Sequence, residues 1–382
     1  MMQAPLSLGS TFTKPRLNHD VLFHAMLFLT RSRDVLSMMQ TCWTLYHLGH
    51  PILLQDVRLR GPQQFTLLDA LLQQNPTRYR LIKSVSFSFS SGFERLADRL
   101  VDFLRKVRQL ESLAIMWLPI VHDDGKFMKQ IAQQVASMSS LRTLSFLGDI
   151  PPRHILHLFA HIRPHLTELD LGYFYFTIQP LNLLAPLKPH LEKLTIRANP
   201  GGVSFIDLAE QGSSEPKFLK VRSLSFDCTG ADFSKLGLLP RVFPNVREFT
   251  VRGVRLPDGQ AALTDIRAAN RELQNEAHWD TLDRLEGTVR SVYAAGLTSR
   301  VKHLRLNLSS RVNKSVPECA RAVIRETKPR SFRVDLQASA VQELRCLPGV
   351  LDPVNECLGE LHVGLYLNSE GVLSAVNEDI VR

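Results

Sequence analysis

Cysteine is scarce in this chain, and the five present, Cys42, Cys228, Cys319, Cys346 and Cys357, are odd in number and widely spaced. No two form a CxxC pair, which argues against both a disulfide framework and a zinc knuckle and points to a reducing compartment. Long apolar runs are also missing: no stretch approaches about 18 uninterrupted apolar residues, the least a membrane-spanning helix needs. The N-terminus, "MMQAPLSLGSTFTKPR", lacks the continuous apolar core of a secretory signal. A cytoplasmic or nuclear, non-membrane location is expected, and the glycosylation sequons at Asn307 and Asn313 are then chance matches. Enzyme signatures are missing too. There is no GxGxxG, no GxxxxGK[ST], no GxSxG and no HExxH, so nucleotide, acyl-transfer and zincin chemistry lack their starting motifs. The expectation is a protein without catalytic residues or cofactors.

What the chain has is an ordinary globular composition, with 44% hydrophobic and 22% charged residues over 382 positions. That is enough apolar material for a sizeable core. The formal charge of +9 is concentrated. Residues 290 to 333 hold eleven Lys or Arg against Glu318 and Glu326 only, and the remainder balances at 35 to 35. A general nucleic-acid coat is therefore not expected, although one local basic patch is.

A repeat runs through most of the chain. The pattern apolar, two variable, apolar, one variable, apolar recurs as "LESLAI" (110), "LRTLSF" (141), "LTELDL" (166), "LEKLTI" (191), "VRSLSF" (221), "VREFTV" (246), "VKHLRL" (301) and "LGELHV" (358). Weaker copies stand at 82 ("IKSVSF") and 329 ("PRSFRV"), and the starts from 110 to 246 are 31, 25, 25, 30 and 25 residues apart. The alternation at the end of each hexad points two side chains inward from a strand. Intervening segments are helical in period: Leu96, Leu100, Leu104 and Val107 share one face, as do Phe127, Ile131, Val135 and Met138, and Ile155, Leu158, Phe159 and Ile162. This unit resembles the leucine-rich repeat over about three quarters of the chain. The family's Asn after the strand survives only at Asn199; Leu118, Asp149, Phe174, Thr229 and Val254 stand at its other positions. The expected fold is α/β, a solenoid of parallel strands with outer helices over 61–382. A conventional α/β domain is the alternative.

Residues 15–60 lie outside the repeat and follow a flexible tail at 1–14. They read as helices near 19–29, 32–40 and 41–48. Asp20 suits the positive end of the first, Ser32 or Asp34 caps the second, and Gly49 and Pro51 end the run. Leu17, Asp20-Val21-Leu22, Met26 to Leu29, Asp34-Val35-Leu36, and Thr41-Cys42 with Leu45 and Leu48 together resemble the F-box, although Asn18 stands where that family favours Pro. The segment "WDTLDRLEGTVRSVYAAGLTSRVKHLRL" (279–306) is similar to one in F-box-like families of mushroom-forming fungi. This resemblance implies a substrate receptor of a cullin–RING ubiquitin ligase: the module binds a Skp-type adaptor, itself attached to a cullin, and the repeats bind a target protein. Leu17, Val21, Leu22, Met26, Leu29, Val35, Leu36, Met39 and Cys42 are then divided between internal packing and adaptor contact. The alternative is an interaction scaffold in which these helices only cap the solenoid's apolar end.

The variable hexad positions face a partner. They run from small and neutral (Ser112, Ala114, Met116, Thr143, Ser145, Leu147) through mixed charge (Glu168, Asp170, Lys193, Arg197) to a basic C-terminal half. Arg252, Arg305 and Arg333, supported by Lys302 and Arg311, are the candidate contacts for an acidic or phosphorylated target. Other groupings have plainer readings. His154, His157 and His161 share a helical face but lack a nearby carboxylate or thiolate. Asp123-Asp124 before Gly125 reads as a turn, and Cys228 as a small hydrophobe. "YFYF" (173–176) offers either rim anchors or core. The chain ends at Arg382 soon after the last repeat strand, so a longer natural chain is expected.

Overall fold

The computed structural model describes residues 18–29, 31–88, 96–116, 126–147, 165–174, 184–198, 217–229, 233–254, 256, 259–308, 316–338 and 359–367. The tail, Leu17, the three-histidine face, Asp123-Asp124, Asn199 and Arg311 lie outside these residues.

Three helices come first: α1 (His19–Leu27), α2 (Ser32–Met39) and α3 (Trp43–Gln55). Twelve strands follow, each paired in parallel with its sequence neighbour: β1 (Asp56–Leu59), β2 (Ser84–Ser88), β3 (Ser112–Met116), β4 (Thr143–Leu147), β5 (Glu168–Phe174), β6 (Lys193–Ala198), β7 (Ser223–Thr229), β8 (Glu248–Val254), β9 (Thr281–Thr288), β10 (Arg300–Leu308), β11 (Ser331–Ala338) and β12 (Glu360–Leu367). Among them stand α4 (Pro62–Gln74), α5 (Ala97–Lys106), α6 (Lys126–Ser137), α7 (Gln260–Gln274), α8 (Val289–Ala295) and α9 (Val316–Thr327). A doubly wound sheet reverses its strand order at a switch point. This one never does, and the fold is a leucine-rich-repeat-type solenoid.

Each hexad has a backbone reason for its two variable positions. The carbonyl of the second residue accepts N–H groups from the second and third residues of the next hexad: Lys83 from Glu111 and Ser112, Glu111 from Arg142 and Thr143, Arg142 from Thr167 and Glu168. The same double acceptance recurs at Thr167, Glu192, Arg222 and Arg247. It satisfies polar groups that would otherwise be stranded between strands. The apolar positions then fall inward, giving strands whose residues alternate between buried and half-buried.

One core runs from Leu54 to Val334. Leu96, Leu100, Leu104 and Val107 all enter it, as do Ile131, Val135 and Met138. Near its start Phe65, Phe87 and Phe103 meet edge to face, with centroids 5.7 to 6.3 Å apart, the geometry that aromatic quadrupoles favour.

Two strands differ from the expected repeat. β9 has the hexad "LDRLEG", with Gly287 at the third apolar position. A Cβ there would lie 2.2 Å from the Val251 carbonyl of β8 and 2.9 Å from Val292 Cγ2 of α8, so the close approach of the β8 backbone, with α8 behind it, requires glycine. β1 belongs to "LQDVRL", a full hexad at 54–59 whose first apolar residue, Leu54, lies in the last turn of α3. The sheet therefore begins inside the 15–60 segment assigned to the helical module.

α3 also corrects the expected helix end. It continues through Gly49 and Pro51 to Gln55. Proline removes the N–H that would bond the His47 carbonyl, yet the helix runs on through it. Gly49 is where α2 comes closest, since a Cβ would lie 2.3 Å from Met39 Cγ. α2 carries no side-chain cap: Arg31 occupies the cap position, and Ser32 and Asp34 lie within the helix. Asn18 caps α1 by accepting the Asp20 N–H at 2.9 Å, a local reason for this residue.

Candidate partner-binding surfaces

The helical module sorts its apolar residues into two sets. Met26, Val35, Met39 and Leu45 form a small core of their own, with Leu22, Leu29 and Cys42 packed partly against it. Val21, Leu27, Phe28, Leu36 and Trp43 are exposed, Phe28 by 82% and Trp43 by 75%. Of the residues expected to divide between packing and contact, Met26, Val35 and Met39 are thus internal. Val21 and Leu36 face solvent, and Leu22, Leu29 and Cys42 lie between. Leu27 and Phe28, although part of the F-box resemblance, and Trp43 were not among the expected contacts, because a helix end and a cap boundary carry no amphipathic signal.

α3 has two working faces. Leu45, Gly49 and Ile52 turn toward α1 and α2, while Trp43, Tyr46, His47 and His50 recur at helical spacing on the opposite side. Trp43 stacks on Tyr46 at 5.8 Å, and Tyr46 meets His50 edge-on at 4.6 Å. Burial, and next the charge of Arg78, holds the His50 pKa below its ordinary value. α3 meets β1 and the 3-10 turn Pro76–Leu81, while α1 and α2 pack on α3.

The second surface is the open face of the sheet. After the Asp56–Arg58 pair of β1, the next strands present Ser84, Ser86, Ser112, Ala114, Thr143 and Ser145, a small, uncharged field rich in hydroxyls. Mixed charge follows, with Arg197 bonding Asp170 at 2.9 Å across neighbouring strands. Burial raises the pKa of both Asp170 and Asp227 against the pull of nearby arginines.

Further along, the basic face has counter-charges. Arg252, Arg284 and Arg305 all address Glu286, at 3.7, 2.8 and 3.6 Å. Arg305 and Arg333 share Asp335 at 2.5 and 2.9 Å. Lys302 pairs with Asp283 at 2.5 Å. Glu286 and Asp335 have side chains only 11% and 6% exposed, whereas Arg252, Arg284 and Arg333 stay open to solvent. Burial pushes the Asp335 carboxyl up, but hydrogen bonds from Arg333 and Arg305 outweigh it and its pKa lies below the usual range. The patch is four guanidiniums held on two sunken carboxylates, an excess of two positive charges (4 − 2) rather than an unopposed basic strip. Arg284, Glu286 and Asp283 were missed with β9, because Gly287 broke the repeat pattern.

Behind the sheet a polar cluster ties the later repeats together. Asn270 Nδ2 donates to the Ala294 carbonyl at 2.8 Å and also to that of Phe233, and its Oδ1 accepts the Gly237 N–H at 2.8 Å. Arg267 donates to the Tyr293 carbonyl at 2.6 Å and pairs with Glu326. The Trp279 indole donates to the Phe243 carbonyl at 2.7 Å, giving the Trp of 279–306 a structural role. Among the described residues no three metal-ligating side chains converge, and no helix is long and apolar enough to cross a membrane.

No protein-family model matches the chain, and neither does any curated protein. Among solved structures, a chain of the yeast complex of Rad7 and Elc1 is similar over 78% of each chain, at 14% identity and a TM-score of 0.44. At that distance the likeness carries no functional argument.

Proposed function

We propose that this chain is a non-catalytic substrate receptor of a cullin–RING ubiquitin ligase, in which α1 to α3 dock a Skp-type adaptor, and through it a cullin, while the repeats hold a target protein. The observation that carries this reading is the set of large apolar side chains left outside both cores: Val21, Leu27, Phe28, Leu36 and Trp43. A bundle that only capped the repeats would turn such residues toward them. Here α3 meets the first repeat, and large apolar side chains left exposed on a small bundle favour a partner. The F-box resemblance of the same helices supports an adaptor as that partner. Arg252, Arg284, Arg305 and Arg333, with Lys302, are the contacts for an acidic or phosphorylated target segment, since Arg forks bind such groups bidentately. No membrane or nucleic-acid partner is included, and the location is cytoplasmic or nuclear.

The test is co-purification with a Skp-type adaptor. Wild type is expected to retain it, and the triple variant Val21→Glu, Phe28→Glu, Leu36→Glu to lose it, with an unchanged melting temperature because all three positions are exposed. A full chain that never binds adaptor leaves only the interaction scaffold.

A further inference from the structure

Between the first two repeats, the ends of α4 and α5 and the 3-10 turn Pro76–Leu81 enclose an open cavity of about 760 Å³. Arg80, Arg105, Lys106 and Arg108 line it against one carboxylate, Asp102, an excess of three positive charges (4 − 1). Lys106 and Arg105 have structural reasons to be there. They pair with Asp102 at 2.6 and 3.6 Å and sit in the last turn of α5, where cations oppose the negative end of the helix dipole.

Arg80 also stands in a last turn, that of the 3-10 segment, but neither it nor Arg108 has a counter-charge among the described residues. Both are exposed, and neither guanidinium makes an ion pair or hydrogen bond among the described residues. Some arginines of this fold find carboxylates, as Arg99 does at Asp69 and Arg197 at Asp170, and others donate to backbone carbonyls, as Arg142 and Arg222 do. Two unneutralised guanidiniums at the mouth of a cavity that is already cationic are a repulsive arrangement, and an anion would relieve it. The remaining wall is Gln73, Gln109, Pro76 and Tyr79, whose ring face lies 5.6 Å from the Lys106 ammonium.

We propose that this cavity binds a small molecule carrying two or more phosphate groups. Phosphate fits because the guanidinium fork matches its oxygens bidentately. More than one phosphate fits because a single dianion leaves the cavity's charge unbalanced. A small molecule fits because the volume falls within the roughly 300–1,000 Å³ typical of ligand pockets. The next repeat adds one cation at the equivalent end, Arg142, whose guanidinium is already engaged by the carbonyls of Ser139 and His165, so the free guanidiniums here, among the described residues, are those of this cavity.

The experiment is calorimetric titration of the full chain with inorganic tripolyphosphate at low ionic strength. One molecule is expected to bind per chain, more than about 100-fold more weakly in Arg80→Gln/Arg108→Gln, since each charge-assisted contact is worth about tenfold or more. Arg305→Gln/Arg333→Gln, on the open face, is expected to keep wild-type affinity. Absence of binding at millimolar tripolyphosphate, equal affinity in Arg80→Gln/Arg108→Gln, or equal loss in both double variants overturns the site. So does capture by phosphatidylserine vesicles without binding of free tripolyphosphate, which would make the patch a membrane contact. Adaptor co-purification is untouched by any of these outcomes, so this site and the receptor reading fail separately.

Discussion

The helical module and the solenoid use the same kinds of residue to opposite effect. In the solenoid each repeat is finished by its neighbour, and the core continues from Leu54 to Val334 with few large apolar side chains left over. In the module four residues make the whole core, while Val21, Leu27, Phe28, Leu36 and Trp43 stay outside it. Stacking lets a repeat array bury what it has. Three short helices cannot do this alone, so the module either remains marginal or is completed by something else.

The strongest way to break this comparison is to open a cavity in each core. Phe103→Ala removes the ring that meets Phe65, Tyr79 and Phe87 edge-on and is expected to cost the main unfolding transition about 3–5 kcal/mol. Met39→Ala is expected to erase ordered structure in α1 and α2 while the main transition keeps its midpoint. Scanning calorimetry with near-ultraviolet circular dichroism reads both. A single shared transition that shifts in both variants would show that the module and array unfold as one.

Asn270→Ala comes next. It strands the Gly237 N–H and the Phe233 and Ala294 carbonyls behind the sheet, and urea unfolding is expected to register a loss of about 2–4 kcal/mol. The smallest effects lie on the open face and have opposite signs. Asp335 has a depressed pKa, so its stabilisation is present above the unfolded carboxylate value near 3.9 and is lost as pH falls through the folded value. Asp335→Asn should therefore destabilise by about 1–2 kcal/mol at pH 7 and match wild type in strong acid. Asp227 has a raised pKa; its stabilisation is complete below about 3.9 and is lost as pH rises through the folded value. Asp227→Asn should stabilise slightly at pH 7, by less than about 1 kcal/mol, and the gain should vanish in acid.

Most of the solenoid is legible in the sequence because its signal is periodic and repeated: Leu113 and Ile115, Leu144 and Phe146, and Leu194 and Ile196 are buried as the hexad requires. The failures are local. Gly287 replaced an apolar residue where the β8 backbone and α8 come close, which concealed β9 and with it Arg284 and Glu286. Leu54 served a helix and a strand at once, which concealed β1. Charge was the least legible property, because a list of arginines does not show that Glu286 and Asp335 sit beneath them. In the module, helical spacing could name the apolar residues but could not separate Met26, which packs, from Phe28, which does not.

The junction at Gln55 and Asp56 has a mechanical consequence. Helix passes to strand there without an intervening residue, and Leu54 is anchored in the array's core. The chain therefore has no slack with which to swing the first three helices. One residue inserted at this point would rotate them by about 100° about the axis of α3, or else reverse which side of β1 faces inward. Whatever partner the module carries is held at a set bearing from the open face, so the protein acts as a bracket rather than a tether.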